Sequence, residues 1–315
     1  MRPIPRRMLV CLFTAWAALA VLAPAFAAEP TFPPGLRIGI EPPGDLKPSR
    51  NFSGFEDVDR KVAITILDLP AGAYGELERA VNAGDQHGLT EVKRENFSFN
   101  GGTGLLLSGN VRVNDVTLHK WILLATAAAD KDLTALINVE VPETALALYP
   151  DAVIRKALAS VTFRPAPVQE QLGLLPFKLA QLSGFRVMKV FPPNGVILTE
   201  GPADDLSKQP YVIVSIGRGS PEQPDDRARF ARDLLSSAPL RDIRMQSSDA
   251  MRIGGSPGLE IRAEAEGLKG EPVMVAQWLR FAGGNYLRVV GIGRKDDWDA
   301  LFTRFRAVRD GIDLR

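Results

Sequence analysis

A glycine-framed serine, two histidines, two acidic clusters and a glycine loop are the residues of this 315-residue chain whose types and spacing chemistry uses. Gly254-Gly255-Ser256-Pro257-Gly258 fits G-x-S-x-G, the nucleophile elbow of serine hydrolases. An elbow needs a helix directly after the serine and a histidine later in the chain. Here Leu259 to Glu264 alternates like a strand, and no histidine follows His119. Gly101-Gly102-Thr103-Gly104 occupies the corresponding place earlier, so a turn explains both stretches. His87 reads as a solvated loop residue. His119 stands two residues before Trp121, on the same strand face, where an imidazole can shape a pocket or move a proton. Without a cysteine outside the N-terminal segment, and with two distant histidines, no metal site is expected. Asp296-Asp297-Trp298-Asp299 fits a helix start, where carboxylates meet the positive end of the dipole. Glu56-Asp57 and Asp59 are expected in a solvated turn, without calcium-loop spacing. Gly217-Arg218-Gly219-Ser220 lies between a strand and a helix, as a phosphate loop does. It lacks both phosphate-loop fingerprints, and Glu222, Asp225 and Asp226 would repel the anion.

The elements that must position these residues come in a repeated order. In the first half, Leu36–Ile40, Phe52–Phe55 and Lys61–Leu67 read as strands. A helix opens at Pro70-Ala71-Gly72-Ala73 with Tyr74, Leu77 and Val81 on one face. Strands follow around 90–99, 104–108, 117–124 and 134–141, then a helix over 151–161. In the second half, Gly184-Phe185-Arg186-Val187 matches Gly35-Leu36-Arg37-Ile38 at 184 − 35 = 149. Tyr211 matches Lys61 at 211 − 61 = 150, and Trp278 matches Trp121 at 278 − 121 = 157. A helix over 225–238 groups Phe230, Ala231, Leu234 and Ala238. A last helix over 297–308 carries Trp298, Leu301, Phe302, Phe305 and Val308 as a stripe. The expected fold is α+β: a tandem duplication of an α/β/α sandwich with a central antiparallel sheet. Ile122-Leu123-Leu124, apolar on both faces, points to cover on both sides. The expected units are 28–164 and 179–315, joined by a proline-bearing linker over 165–178.

The order strand, strand, helix, glycine turn, hairpin, tryptophan strand, strand, closing aromatic helix resembles the PsbP-like fold. Gly184-Phe185-Arg186-Val187, Gly255 to Glu260, Gln277-Trp278 and 298–308 carry the resemblance, with weaker counterparts in the first half. It covers both halves, in the manner of exported bacterial proteins of the DcrB and LpqN type. It implies a non-catalytic binding or assembly module and transfers no site residue.

Arg2, Arg6 and Arg7, the apolar run from Met8 to Ala23, and Ala25-Phe26-Ala27 have the layout of a secretory signal peptide over residues 1–27. Cleavage leaves 315 − 27 = 288 residues, with 38 − 3 = 35 basic and 37 acidic side chains. That balance offers no field to attract nucleic acid. No later run is long enough to span a membrane. The chain is therefore expected in the periplasm or secreted, without cofactor and without catalytic residues, bound to an envelope protein or a small ligand. Function is expected where the two copies differ, which singles out His119, Arg218 and Ser220 as ligand-binding candidates. A periplasmic hydrolase with its site in an inter-unit cleft near His119, and a purely structural envelope protein, are the alternatives.

Overall fold

Runs of leucine and β-branched residues that alternate between two environments build two seven-stranded antiparallel sheets. The computed structural model describes residues 29–83, 88–127, 133–267 and 269–315. The expected signal segment and His87 lie outside the described residues.

The first half contains β1 (Ile38–Gly39), β2 (Lys47–Pro48), β3 (Gly54–Asp57), β4 (Val62–Pro70), α1 (Ala73–Asn82), β5 (Thr90–Phe99), β6 (Gly102–Val113), β7 (Val116–Thr126), β8 (Leu133–Pro142), α2 (Asp151–Ala159) and β9 (Thr162–Phe163). Helix α3 (Val168–Gly173) lies within the stretch expected as a linker. The second half contains β10 (Phe177–Leu179), β11 (Arg186–Phe191), β12 (Gly195–Thr199), β13 (Tyr211–Arg218), α4 (Pro224–Ser236), β14 (Arg241–Ile253), β15 (Ser256–Glu266), β16 (Pro272–Ala282), β17 (Asn285–Arg294), α5 (Trp298–Asp310) and β18 (Ile312–Leu314).

The sheets have the same strand order: β2-β3-β4-β8-β7-β6-β5 and β11-β12-β13-β17-β16-β15-β14. Each half also closes a small antiparallel pair, β1 with β9 and β10 with β18. The chain is a tandem duplication of one α+β unit. Tight hairpins set the register of the long strands. Gly254 and Gly255 have φ of 52° and 77°, the left-handed pair that a two-residue hairpin loop between Ile253 and Ser256 requires.

Each sheet is covered on both faces. In the first unit, α2 buries Ile154 and Leu158 against Leu106, Trp121, Leu123, Ile137 and Val139. The opposite face holds the smaller cluster of Leu89, Leu107 and Ile122, with Val81 of α1 packed on it. In the second unit, α5 buries Leu301, Phe305 and Val308 against Trp278 and Val289. Ala231 and Leu235 of α4 join Leu259, Leu279 and Val290 on the other face. Ala238 lies beyond the end of α4, and Leu235 takes its place on the buried side.

Three expectations are corrected by the topology. The run Leu36–Ile40 contributes only Ile38–Gly39 to a strand, and that strand pairs with β9 rather than with the large sheet. The match of Gly184–Val187 to Gly35–Ile38 is not structural. Ile64 pairs with Phe55 next to Gly54, and Val214 pairs with Val196 next to Gly195, so Gly54 answers Gly195 at 195 − 54 = 141. Val214 answers Ile64 at 214 − 64 = 150. The jump comes from the longer connection between β12 and β13. Both glycines are required by the same close approach: a Cβ would meet Ile64 O at 1.8 Å from Gly54 and Val214 O at 2.5 Å from Gly195. Finally, Asp57 is not a solvated turn residue. It is buried, accepts a 2.9 Å hydrogen bond from Tyr149 Oη and pairs with Arg60 at 3.0 Å. Burial, then the hydrogen bond to Asp57 and its charge, pushes Tyr149 up to about 12.

Candidate functional site

The two copies differ on the face covered by α1 in the first unit and by α4 in the second. Strand parity defines who stands there. In β7, Trp121, Leu123 and Ala125 point to the α2 side, so Lys120, Ile122 and Leu124 point to the α1 side. In β8 the same rule sends Leu136, Asn138 and Glu140 to the α1 side.

Helix α1 crosses this face as a strap held at its ends. Thr134 Oγ1 donates to Ala71 O at 3.1 Å just before its start, and Asn82 Oδ1 at its last residue accepts from Arg94. Between these ties no residue of α1 is buried. Gly75, Glu76 and Arg79 are exposed, and of the partly buried apolar face of Tyr74, Leu77 and Val81 the last two line the space left over the sheet. The result is an open apolar cavity of about 200 Å³, lined by Leu77, Val81, Leu105, Leu107, Ile122, Leu124 and Leu136, with Lys120 and Asn138 as its polar members.

The polar end has a defined valence. Lys120 Nζ lies 2.9 Å from Glu140 Oε1, and Asn138 Nδ2 donates to the same oxygen at 3.1 Å. Burial alone would raise the Glu140 carboxyl, but the hydrogen bonds from Lys120 and Asn138 and the Lys120 charge outweigh it and hold it below the usual glutamate value. The pair is thus ionised at neutral pH and loses its favourable contribution only as pH falls through that lowered value. A carboxylate only accepts, so the Asn138 amide must turn its nitrogen to Glu140. That leaves Asn138 Oδ1 buried without a partner. An unpaired buried carbonyl of this kind costs about 1–3 kcal/mol.

The second copy fills the equivalent space. Gln277 answers Lys120 at 277 − 120 = 157 and Arg288 answers Asn138 at 288 − 138 = 150, the offsets that align Trp278 with Trp121 and Val289 with Val139 in register. Gln277 Nε2 donates to Ala231 O at 2.7 Å, Arg288 Nε donates to Gln277 Oε1 at 2.8 Å, and Arg288 Nη2 donates to Leu234 O at 2.9 Å. These bonds sew α4 to its sheet. Burial lowers Arg288 below the usual guanidinium value, yet it stays charged at any ordinary pH. Among the described residues, the first unit has no such stitch between sheet and helix centre.

The residues singled out from the sequence lie elsewhere. His119 is half-buried on the α2 side of β7, its ring centroid 6.4 Å from that of Trp121, and so faces away from the cavity. Its sequence neighbour Lys120 is the cavity residue. Arg218 is exposed at the end of β13 in the other unit. The Gly219 and Ser220 amides donate to Gly284 O at 2.9 and 3.0 Å, tying the loop to a hairpin. No hydrogen bond or ring contact joins His119 to Arg218 or Ser220 among the described residues. Ser256 begins β15, pairs with Ile253, and its Oγ accepts from Arg280 Nε at 3.2 Å. It is a strand residue and not a nucleophile elbow. Trp121 and Trp278 are core residues, 4% and 0% exposed, with their Nε1 groups donating to Asp151 and Glu260. No group of three or more metal-ligating side chains is found, and no helix is long and apolar enough to cross a membrane, among the described residues. The sequence signal for the cavity was the doubly apolar Ile122-Leu123-Leu124, followed by Asn138 amid the apolar run of β8.

What the fold and site define is a duplicated α+β scaffold with one copy open beneath its first helix and the other closed. No family model matches the chain, and no curated protein matches it either. Among solved structures it is similar to LpqN of Mycobacterium tuberculosis, involved in cell envelope biogenesis, at 15% identity over 44% of this chain and 82% of that one, with a TM-score of 0.36. It is also similar to the cyanobacterial PsbP of Synechocystis, at 14% identity over 44% and 87% of the two chains and a TM-score of 0.32. The immunity protein TplEi of the type VI secretion system of Pseudomonas aeruginosa aligns over 91% of this chain and 96% of its own, at 14% identity and a TM-score of 0.28. The fold of this chain rests on its own strand order and register, not on these scores.

Proposed function

We propose that this chain is an exported, non-catalytic binding protein of the cell envelope, which holds a small apolar-bodied ligand beneath α1 of its first unit. One observation carries the reading: the first copy keeps an open apolar cavity beneath its first helix, whereas the other copy fills the same place with Gln277 and Arg288. A preformed apolar pocket with few convergent polar groups is the usual form of a small-molecule site. The second unit then serves as a closed support or as a surface for an envelope partner. No observation favours the hydrolase reading, since His119 faces the opposite side of the sheet and Ser256 lies within a strand.

Native mass spectrometry of the full chain purified from periplasm tests this. The expected spectrum shows a mature chain beginning at Ala28 that carries one non-covalently bound small molecule. Leu107→Trp puts an indole into the cavity, where added volume meets open space rather than a filled core, and is expected to remove that mass while the chain stays folded. A wild-type chain with no bound mass, or equal occupancy in L107W, would contradict the reading.

A further inference from the structure

We propose that the cavity beneath α1 takes a single-chain carboxylate: an alkyl chain seated against the apolar wall, its carboxylate received by the N–H groups of Lys120 that Glu140 leaves free. This rests on the binding function proposed above and adds the charge of the ligand's head group.

Lys120 and Asn138 are the polar members of a lining otherwise made of leucine, isoleucine and valine. Asn138 Oδ1 is buried out of reach of a ligand, and Asn138 Nδ2 is turned to Glu140 at 3.1 Å. Lys120 differs. An ammonium has three N–H donors and no acceptor. Its 2.9 Å contact with Glu140 Oε1 is its one polar contact among the described residues, so two donors remain. Glu140 itself is not part of the lining. What the polar end offers a ligand is therefore N–H groups and positive charge. Donors select an acceptor, and an ammonium binds an anionic oxygen about twice as strongly as a neutral pair binds. Glu140 does not cancel this preference. The N–H bonds of an ammonium diverge, so a carboxylate on a second one lies nearer to the cation than to the Glu140 anion, and attraction exceeds repulsion. The Glu140 side chain is also the more exposed of the two, 33% against 21%, so water screens it more. A cationic head would meet like charge. The cavity volume of about 200 Å³ is below the range for drug-sized ligands, which suits one chain of medium length. The second unit has no counterpart: Gln277 stands at the Lys120 position, with its amide committed to Ala231 and Arg288.

The test uses the mature full-length chain at neutral pH and the neutral fluorophore N-phenyl-1-naphthylamine, displaced in turn by decanoate and by decyltrimethylammonium, each below its micelle concentration. Decanoate is expected to displace the probe at concentrations about tenfold or more below those of the cation, the scale of one hydrogen bond to a charged group. In Lys120→Met, of similar length, the probe still binds and decanoate loses that advantage. Equal displacement by the two in the wild-type chain, or a preference for the cation, overturns the carboxylate proposal, as does an advantage of decanoate that survives in K120M. These outcomes leave the binding function intact. Failure of the probe to bind, or binding that L107W does not weaken, sinks the binding function and the carboxylate proposal together. The wild-type comparison needs no variant, so a poorly folded K120M does not protect the proposal.

Discussion

Trp278→Ala is expected to cost the second unit about 3–5 kcal/mol of unfolding free energy, at the upper end for a buried aromatic. Trp278 is fully buried beneath α5 and stacks on Phe302 with ring centroids 5.7 Å apart. Its Nε1 donates to Glu260 Oε2 at 2.6 Å. The Arg309 guanidinium lies 5.3 Å from the indole ring centre, and Arg309 Nη1 is 3.8 Å from Glu260 Oε2. Truncation therefore leaves a cavity whose wall holds a carboxylate and a guanidinium, each stripped of a neighbour, and both are nearly excluded from solvent. Trp121→Ala is expected to cost less. Its hydrogen-bond acceptor Asp151 has a side chain 59% exposed, so water replaces the lost donor. Urea unfolding followed by circular dichroism separates the two variants. A Trp278→Ala loss below about 1 kcal/mol, the scale of an ordinary substitution, would show that the indole is not a core member.

Removing the second unit's stitch is expected to create a second binding site. The double variant Gln277→Ala with Arg288→Ala deletes three hydrogen bonds between α4, β16 and β17 and empties the space they occupy. The space is walled by Leu279, Val290 and other apolar side chains of that face. An engineered apolar cavity of this kind remains dry and takes apolar ligands. The expected cost is about 2–5 kcal/mol, from lost side-chain volume and from hydrogen bonds to a charged group. The expected gain is a rise from one to two equivalents of bound N-phenyl-1-naphthylamine. A folded double variant that still binds one equivalent would mean that Ala231 and Leu235 of α4, rather than the stitch, keep that face closed.

Much of the architecture was legible because its signals are local. Period-two alternation places Thr90–Phe99 at its observed limits. The stripe of Leu301, Phe305 and Val308 needs only helical spacing to point at a core. The matched tryptophans survive as register equivalents because hairpins preserve relative position between neighbouring strands. The match at Gly184 failed for the converse reason: a linear offset cannot see that one inter-strand connection is longer than its counterpart. Asp57 was misplaced because its partner Tyr149 lies 92 residues away and only the fold brings them together.

The candidate site was half legible. Ile122-Leu123-Leu124 signalled a sheet apolar on both faces, but Tyr74, Leu77 and Val81 read as an ordinary apolar face of α1, and only the fold shows that no residue of that helix is buried. His119 drew attention through its side-chain chemistry, while the cavity uses its neighbour Lys120, because adjacent strand residues point to opposite faces. That Asn138 Oδ1 goes unpaired follows from Lys120 and Asn138, on two strands, sharing one carboxylate oxygen of Glu140, which no spacing rule contains.

Hydrogen exchange by mass spectrometry, with and without the neutral fluorophore N-phenyl-1-naphthylamine, reports which copy holds a ligand. Helix α1 is tied only at its ends and buries none of its residues, so its amides should exchange readily in the free chain. Ligand-dependent protection is expected in Ala73–Asn82 and the facing parts of β7 and β8, with Pro224–Ser236 unchanged. Protection confined to Pro224–Ser236, or none in either helix at saturating probe, would contradict a ligand site beneath α1.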